Sequence, residues 1–261
     1  MKKAQIEVKY EDHMGSDLSV VNAARQSFAK QKTVFDETTD GGLIQFLATG
    51  KRTSEWDDFL VEITRLSHAV VIGRDGAKEQ LKQRLIEYKR EAQHWAPFGH
   101  PHVTLRLRMP IFLARQFVKH QVGGVWSEES RRYVSDEPEF YFEPVLMKRP
   151  DDIKQGAAGE LSDQHYALGV MECATQVARN EYMVLLTGAD TGEKLAPEQA
   201  REILTLNTMT GVTWTGSLLF WSRVCNHRLD NHAQKAAQTL ASQISDIIEP
   251  LFPVSWKALV K

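Results

Sequence analysis

From Val103 to Met109 the chain alternates strictly, with Val103, Leu105, Leu107 and Met109 apolar and Thr104, Arg106 and Arg108 polar. A strand repeats every two residues, so this pattern predicts a half-buried strand with one polar, basic face. A strand buried on both faces, as in a parallel barrel, would read as a continuous apolar run. The strand ends at Met109-Pro110, and Pro110 sits where it can open a helix. Ile111-Phe-Leu-Ala continues at helical spacing, so Gln116 and His120 fall on one helix face and Arg115 and Lys119 on the next. Gly123-Gly124 stops that helix, since each interior glycine costs about 1 kcal/mol. From there a loop is expected, ending in Ser130-Arg131-Arg132-Tyr133.

This segment, Arg115 to Tyr133, gathers side chains that grip anions or stack on rings. The planar fork of Arg matches phosphate oxygens, and a serine hydroxyl adds a donor, so Ser130, Arg131 and Arg132 suit a phosphate monoester. A solvated basic turn fits the local composition equally well.

Size and charge narrow the partners. The chain has 261 residues, 42% hydrophobic and 25% charged, which is ordinary globular composition. A formal charge of -2 excludes a general coat for a nucleic-acid polymer, so any anion must be met by a local pocket. No apolar run approaches the roughly 20 residues that span a bilayer, and the first residues lack a signal-peptide core. A cytoplasmic setting without membrane partners is the expectation. Cys173 and Cys225 are isolated, without metal-ligand or C-x-x-C spacing, and read as buried free thiols.

Taken in order, residues 4–9 read as a strand and Leu18 to Ser27 as a helix capped by Ser16 or Asp17. Residues 31–76 read as an added segment of one or two helices serving packing or subunit contacts. Lys78 to Gln93 is an amphipathic helix with Leu81, Leu85 and Tyr88 inward. His100-Pro-His102 raises a metal-dependent hydrolase, but the alternating strand that follows argues against that barrel, and no metal site is expected. Val134 to Pro144 reads as an aromatic strand, and 148–162, with Gly156 and Gly159, as a loop. A helix over Asp163 to Leu186 carries Leu168, Met171, Ala174, Val177 and Ala178 as a core stripe. Pro197 opens another helix bearing Arg201. The last helix, Ser217 to Pro250, carries Arg228, His232 and Gln234 along one polar stripe.

Four blocks resemble the flavin-dependent thymidylate synthases, of which the chain looks like a divergent member. Arg115, Gln116, Phe117, His120, Glu128, Ser130, Arg132 and Tyr133 match the family's Arg-Gln-aromatic-x-Arg-His-Arg and Asn-Glu-x-Ser-x-Arg-Tyr pattern. Ala23-Ala-Arg-x-Ser27 and His94-Trp-Ala-Pro-Phe-Gly-His100 are similar to earlier elements. Ala200-Arg201-Glu-Ile-Leu204 and Arg228-x-x-x-His-Ala-Gln234 are similar to later ones. The departures are Lys119 and Gln121 for Arg, Gly124 near the usual Ser, Ser127 for Asn, Gly99 for an acid, Thr205 for Pro, Gly216 for Arg, and Ala236-Ala237 for Glu-Ile.

The resemblance implies one α+β domain over 1–261, a mixed sheet packed with long helices, assembled as a homotetramer with active sites at subunit interfaces. It implies reductive methylation of dUMP to dTMP, with methylene-tetrahydrofolate as carbon donor and FAD reduced by NADPH. By the same resemblance Gln116, Lys119, Glu128, Glu129, Ser130, Arg131, Arg132, Arg201 and Arg228 contact the nucleotide, with Arg228 catalytic. His94, Ala96, Lys119, His120, Gln121, Glu128 and His232 fall to the flavin. Lys offers a point charge where Arg offers a fork, and Gln removes a charge, so flavin or folate docking can differ here. Cys225 has no Pro-Cys-Gln context for a thiolate attack on uracil. Two alternatives stay open: transfer of another one-carbon group to a pyrimidine nucleotide, or nucleotide or flavin binding without synthesis.

Overall fold

The alternating segment forms the inner strand of a four-stranded sheet in a computed structural model, which describes residues 1–90, 94–151 and 157–260. In chain order the elements are β1 (Lys2–Lys3), β2 (Glu7–Met14), α1 (Asp17–Arg25), α2 (Glu37–Thr49), α3 (Thr53–Val71) and α4 (Ala77–Arg90). Then come β3 (His102–Pro110), α5 (Ile111–Phe117), β4 (Gly124–Glu128), β5 (Glu139–Phe140) and α6 (Gln164–Thr187). The chain closes with α7 (Pro197–Ala200), β6 (Met209–Ser217), α8 (Leu218–Arg228), α9 (Lys235–Ile248) and α10 (Pro253–Leu259). Helices and sheet together make an α+β fold, with two compact units.

The first unit comprises Met1–His13, Val103–Gly216 and Arg223–Ile248. Its sheet runs β2-β3-β6-β4, and β1 pairs in parallel with β5. On β3, Val103, Leu105, Leu107 and Met109 are buried, while Arg106 is exposed and donates through Nε and Nη2 to the two carboxylate oxygens of Glu11, each at 2.6 Å. The expected basic face is therefore partly neutralised. On β6 the opposite pattern buries Val212 and Trp214. The segment expected as a loop after Gly124 is instead β4, antiparallel to β6 with Trp126 opposite Trp214. The two indoles meet edge to face at 4.9 Å, a pairing that adds to simple burial. Gly123, with φ near +90°, makes the sharp entry to that strand.

Other expectations change in this unit. The helix of the central segment ends at Phe117, so Gln116 and His120 do not share a helix face. The single C-terminal helix is two, and Leu229 to Gln234 form a non-helical link between α8 and α9. The inward side of α6 carries Thr175 and Tyr182, both buried, leaving Met171 and Val177 exposed. The true inward line is offset from the expected stripe because Thr175 and Tyr182 are seven apart, two helical turns. Asp163 caps α6 through Tyr166 N at 2.9 Å, and Gly188 ends it where a Cβ would lie 2.7 Å from Glu193 O. Cys173 is exposed, contrary to expectation, and Cys225 is buried. The first strand is split as β1 and β2, and the aromatic strand shrinks to β5. Gly156 lies outside the described residues, whereas the flanks of its loop are tied by a bridge between Met147 and Glu160.

The second unit comprises Met14–His102, Ser217–Ser222 and Glu249–Lys261. Residues 31–76 supply two helices, α2 and α3. Asp36 caps α2, accepting from Thr39 N at 2.8 Å, and Asp40 is buried between Arg25 and Lys32 at 3.0 and 2.9 Å. Tyr88 of α4 stacks on Phe59 of α3 at 4.8 Å, but Leu85 is exposed rather than inward, and residues 91–93 lie outside the described residues. Asp17 accepts from Val254 N and Ser255 N, both at 2.9 Å, which caps α10.

Candidate functional site

Gln116, His120 and Arg228 meet where α5 ends and α8 ends. Pro110 starts α5 and Phe117 buries its last turn, so the chain emerges at Val118-Lys119-His120 as a turn beside the C-terminus of α8. Arg228, the last residue of α8, lies half-buried here. Its Nε donates to His120 Nε2 at 3.2 Å, an Nη2 hydrogen goes to Gln116 O at 3.0 Å, and its guanidinium lies 5.3 Å from the Phe117 ring centre. A cation near an aromatic face is attracted by the ring quadrupole. None of the ion pairs among the described residues involves Arg228.

His120 is half-buried, 5.9 Å ring to ring from His227. Burial, then the nearby Arg228 and His227, push its imidazole down to about 4. Burial also lowers Arg228, but a guanidinium remains charged at any ordinary pH. A pocket of about 210 Å³ opens beside them, lined by Asn226, His227, Arg228, Asp230, His232 and Ala233. His232 is exposed, and its backbone N donates to Asp230 at 2.8 Å. Because α8 has already ended, His232 reaches the same pocket through the linker and not along a shared helix face.

A side-chain relay extends from this corner. Gln116 Nε2 donates to Gln234 Oε1 at 2.9 Å, Gln234 Nε2 donates to Glu143 at 3.1 Å, and Tyr141 OH donates to Glu143 at 3.1 Å. Burial, with Glu143 beside it, raises the Tyr141 phenol further above its usual value, keeping it a donor. Glu143, Tyr141 and His227 are the residues that the motif reading left out of the site. The cue for Glu143 was a lone carboxylate between Phe142 and Pro144; nothing in the sequence linked it to Gln234.

Beyond Phe117 the cations fan out. Lys119 is exposed and lines a pocket of about 320 Å³ with Arg115 and Glu128. Glu128, at the end of β4, is fixed by Thr210 Oγ1 and Trp126 Nε1, each at 3.1 Å. Glu129 is exposed, and its backbone N donates to Gly211 O at 2.8 Å. In the following turn Ser130 Oγ accepts from Arg132 Nε at 3.3 Å, and Arg132 lies 5.1 Å from the Tyr133 ring centre. Arg131 donates to Asp136 O, while its Nε is buried without a partner. Gln121 is exposed in the turn before β4. Arg201 stays apart from the bonds around Arg228, exposed on a 3-10 turn with its Nε donating to Glu198 O at 3.2 Å. His94 and Ala96 lie exposed in the second unit, where His94 packs 5.1 Å from Phe46 ring to ring.

The donor set fits a flavin dinucleotide. Lys119, Gln121, His120, His232 and the orphaned Arg131 Nε offer donors to an anion or a ring carbonyl, and an unpartnered buried donor is costly unless a ligand takes it. A half-buried cation without a carboxylate partner can attract an anion. Among the described residues no three His, Cys, Asp or Glu are grouped to hold a metal ion.

The family follows from comparison with known proteins. The model of the family described as thymidylate synthase complementing protein matches residues 10–254, and the chain belongs to that family. It is 30% identical over 203 residues to a flavin-dependent thymidylate synthase of Thermus thermophilus, covering 77% of this chain and 71% of that relative. It is 29% identical over 206 residues to one of Pseudothermotoga lettingae, covering 78% and 86%. Among solved structures it resembles a UMP/dUMP methylase, PolB from Streptomyces cacaoi bound with 5-Br dUMP. There the TM-score is 0.72 at 24% identity, covering 99% of this chain and 96% of that one.

Proposed function

We propose that this chain is a flavin-dependent thymidylate synthase that methylates dUMP at carbon 5 to give dTMP. Methylene-tetrahydrofolate supplies the carbon and NADPH the reducing electrons, leaving tetrahydrofolate and NADP⁺. Bound FAD supplies the hydride that completes the methyl group. The observation that carries the reading is Arg228: a cation held by Gln116 O, His120 and the Phe117 ring beside an open pocket.

The chain's own residues then divide by chemistry. Ser130, Arg131, Arg132 and Arg201 grip the nucleotide phosphate, with Gln116, Lys119, Glu128 and Glu129 orienting the rest of the nucleotide. Arg228 stabilises negative charge developing on the uracil ring, which makes carbon 5 nucleophilic without a covalent enzyme adduct. His94, Ala96, Lys119, His120, Gln121, Glu128 and His232 hold the flavin. Fixing the donors in advance avoids reorganisation during reaction.

We also read 1–261 as one catalytic domain in which 31–76 is an addition, working in the cytoplasm as a homotetramer. Self-association is supported by the exposed apolar side of α6, where Tyr166 and Val170 are 71% and 52% exposed. No helix among the described residues is long and apolar enough to cross a membrane.

The test is the mass of the nucleotide recovered after incubation with dUMP, methylene-tetrahydrofolate, FAD and NADPH. A product heavier by one CH2, the methyl group having replaced the hydrogen on carbon 5, is expected and should be absent without FAD. Arg228→Ala should lower kcat by about 10²–10³, the loss typical of removing one donor aimed at developing charge. A pyrimidine carrying another one-carbon group, or unchanged dUMP with flavin bound, would overturn the synthase reading.

A further inference from the structure

Arg228 ends its helix, so its side chain is not locked by neighbours one turn on, yet its guanidinium is held at three points. All three come from the end of α5 and the turn after it: Gln116 O, the Phe117 ring and His120 Nε2. Only His120 offers a side-chain acceptor. An imidazole nitrogen accepts only when it carries no proton, so Nε2 must be bare and the ring hydrogen must sit on Nδ1. We propose that His120 is the positioning residue for Arg228, its neutral Nε2 aiming the guanidinium so that the remaining N–H groups face the nucleotide.

The inference rests on reading Arg228 as the activating cation, and it gives His120 a task that a flavin contact alone does not. Of the five guanidinium hydrogens, one goes to His120 and one to Gln116 O, leaving three for a ligand. The groups bearing on the ring are Arg228 and His227, both from α8. Burial and these neighbours all disfavour an imidazolium, which would set a second cation 3.2 Å from Arg228 Nε. The ring therefore remains an acceptor down to about pH 4. Its Nδ1 hydrogen stays available to a ligand.

The experiment compares His120→Leu, which removes the acceptor, with His120→Gln, whose amide oxygen restores one. The affinity of flavin-free protein for dUMP is measured by calorimetry, flavin content is read separately, and thermal melting checks folding. His120→Leu should weaken dUMP binding about tenfold, the worth of one charge-assisted bond, and His120→Gln should recover most of that loss. Nitrogen-15 spectra of histidine-labelled protein should show His120 neutral, with Nε2 unprotonated, from pH 8 to 5. The proposal is overturned if folded His120→Leu binds dUMP like the parent, if His120→Gln is no better than His120→Leu, or if Nε2 carries the proton. A loss confined to flavin content would overturn it too. Arg228→Ala separates the two readings. If that variant turns over normally, the role of Arg228 fails; if it is inactive while His120→Leu binds dUMP normally, only the positioning inference fails.

Discussion

Replacing Cys225 with alanine separates a mechanism built on Arg228 from one in which a thiolate attacks the uracil ring. Cys225 is fully buried in α8, its thiol 3.7 Å from Ala241 O of α9, and burial raises its pKa to about 12. At pH 7.5 the thiol is therefore held in its protonated form, which is a poor nucleophile. What the sulfur provides is packing. Its removal deletes one buried heavy atom and a weak S–H contact, a loss of about 1 kcal/mol, or roughly 2–4 °C in Tm for a chain of this size. Cys225→Ala should therefore keep kcat within about twofold of the parent and melt slightly earlier. The assay is dTMP formation under saturating dUMP, with circular dichroism to confirm the fold. An alkylating reagent supplies a second reading: it should reach the buried Cys225 only on unfolding. A folded Cys225→Ala protein that makes no dTMP would refute the reasoning.

Asp17→Ala should cost about 2–3 kcal/mol, because it strips two main-chain donors, Val254 N and Ser255 N, of a buried charged acceptor; urea unfolding that shows less than about 0.5 kcal/mol would contradict the cap. His120 gives a pH dependence whose sign follows from its depressed value. As pH falls below the ordinary 6.5 the unfolded chain takes up a proton that the folded ring refuses until about 4, so stability is full above 6.5 and declines across that window. The whole displacement would correspond to about 3 kcal/mol, and on the order of 1–2 kcal/mol remains for a half-buried ring. Urea midpoints from pH 7.5 to 4.5 should fall more steeply for the parent than for His120→Gln, and parallel curves would count against the shift.

The parts legible in the sequence were those set by local rules. Alternation gave β3 its buried face and Pro110 marked a helix start, because each depends on residues a few positions apart. The parts that were not legible depend on partners far along the chain. The Gly123-Gly124 pair reads as the end of a helix, but Phe117 ends it earlier, and the residues beyond become a strand because β6 offers an open edge. Polar spacing from Arg228 to Gln234 suits a helix; the chain instead turns there, and Gln234 is taken up by Gln116 and Glu143, over a hundred and about ninety residues away. Conversely, Met171 and Val177 of α6 belong to a core-like pattern and lie exposed, since periodicity registers an apolar face without naming what covers it. Of the residues read from motifs, the structure brings Arg228, His120 and Gln116 together, while Ser130–Arg132 and Arg201 make their bonds elsewhere and His94 and Ala96 belong to the second unit.

One anchor of Arg228 is a main-chain oxygen, that of Gln116. Every amino acid supplies the same carbonyl, so natural drift at position 116 can erase the amide that reaches Gln234 and still leave that anchor in place. A survey of side-chain replacements would score the position as tolerant on exactly the count that matters for the cation. The feature is inherited through the path of the backbone, and it will be found by comparing where α5 ends in related chains, not by comparing which letter ends it.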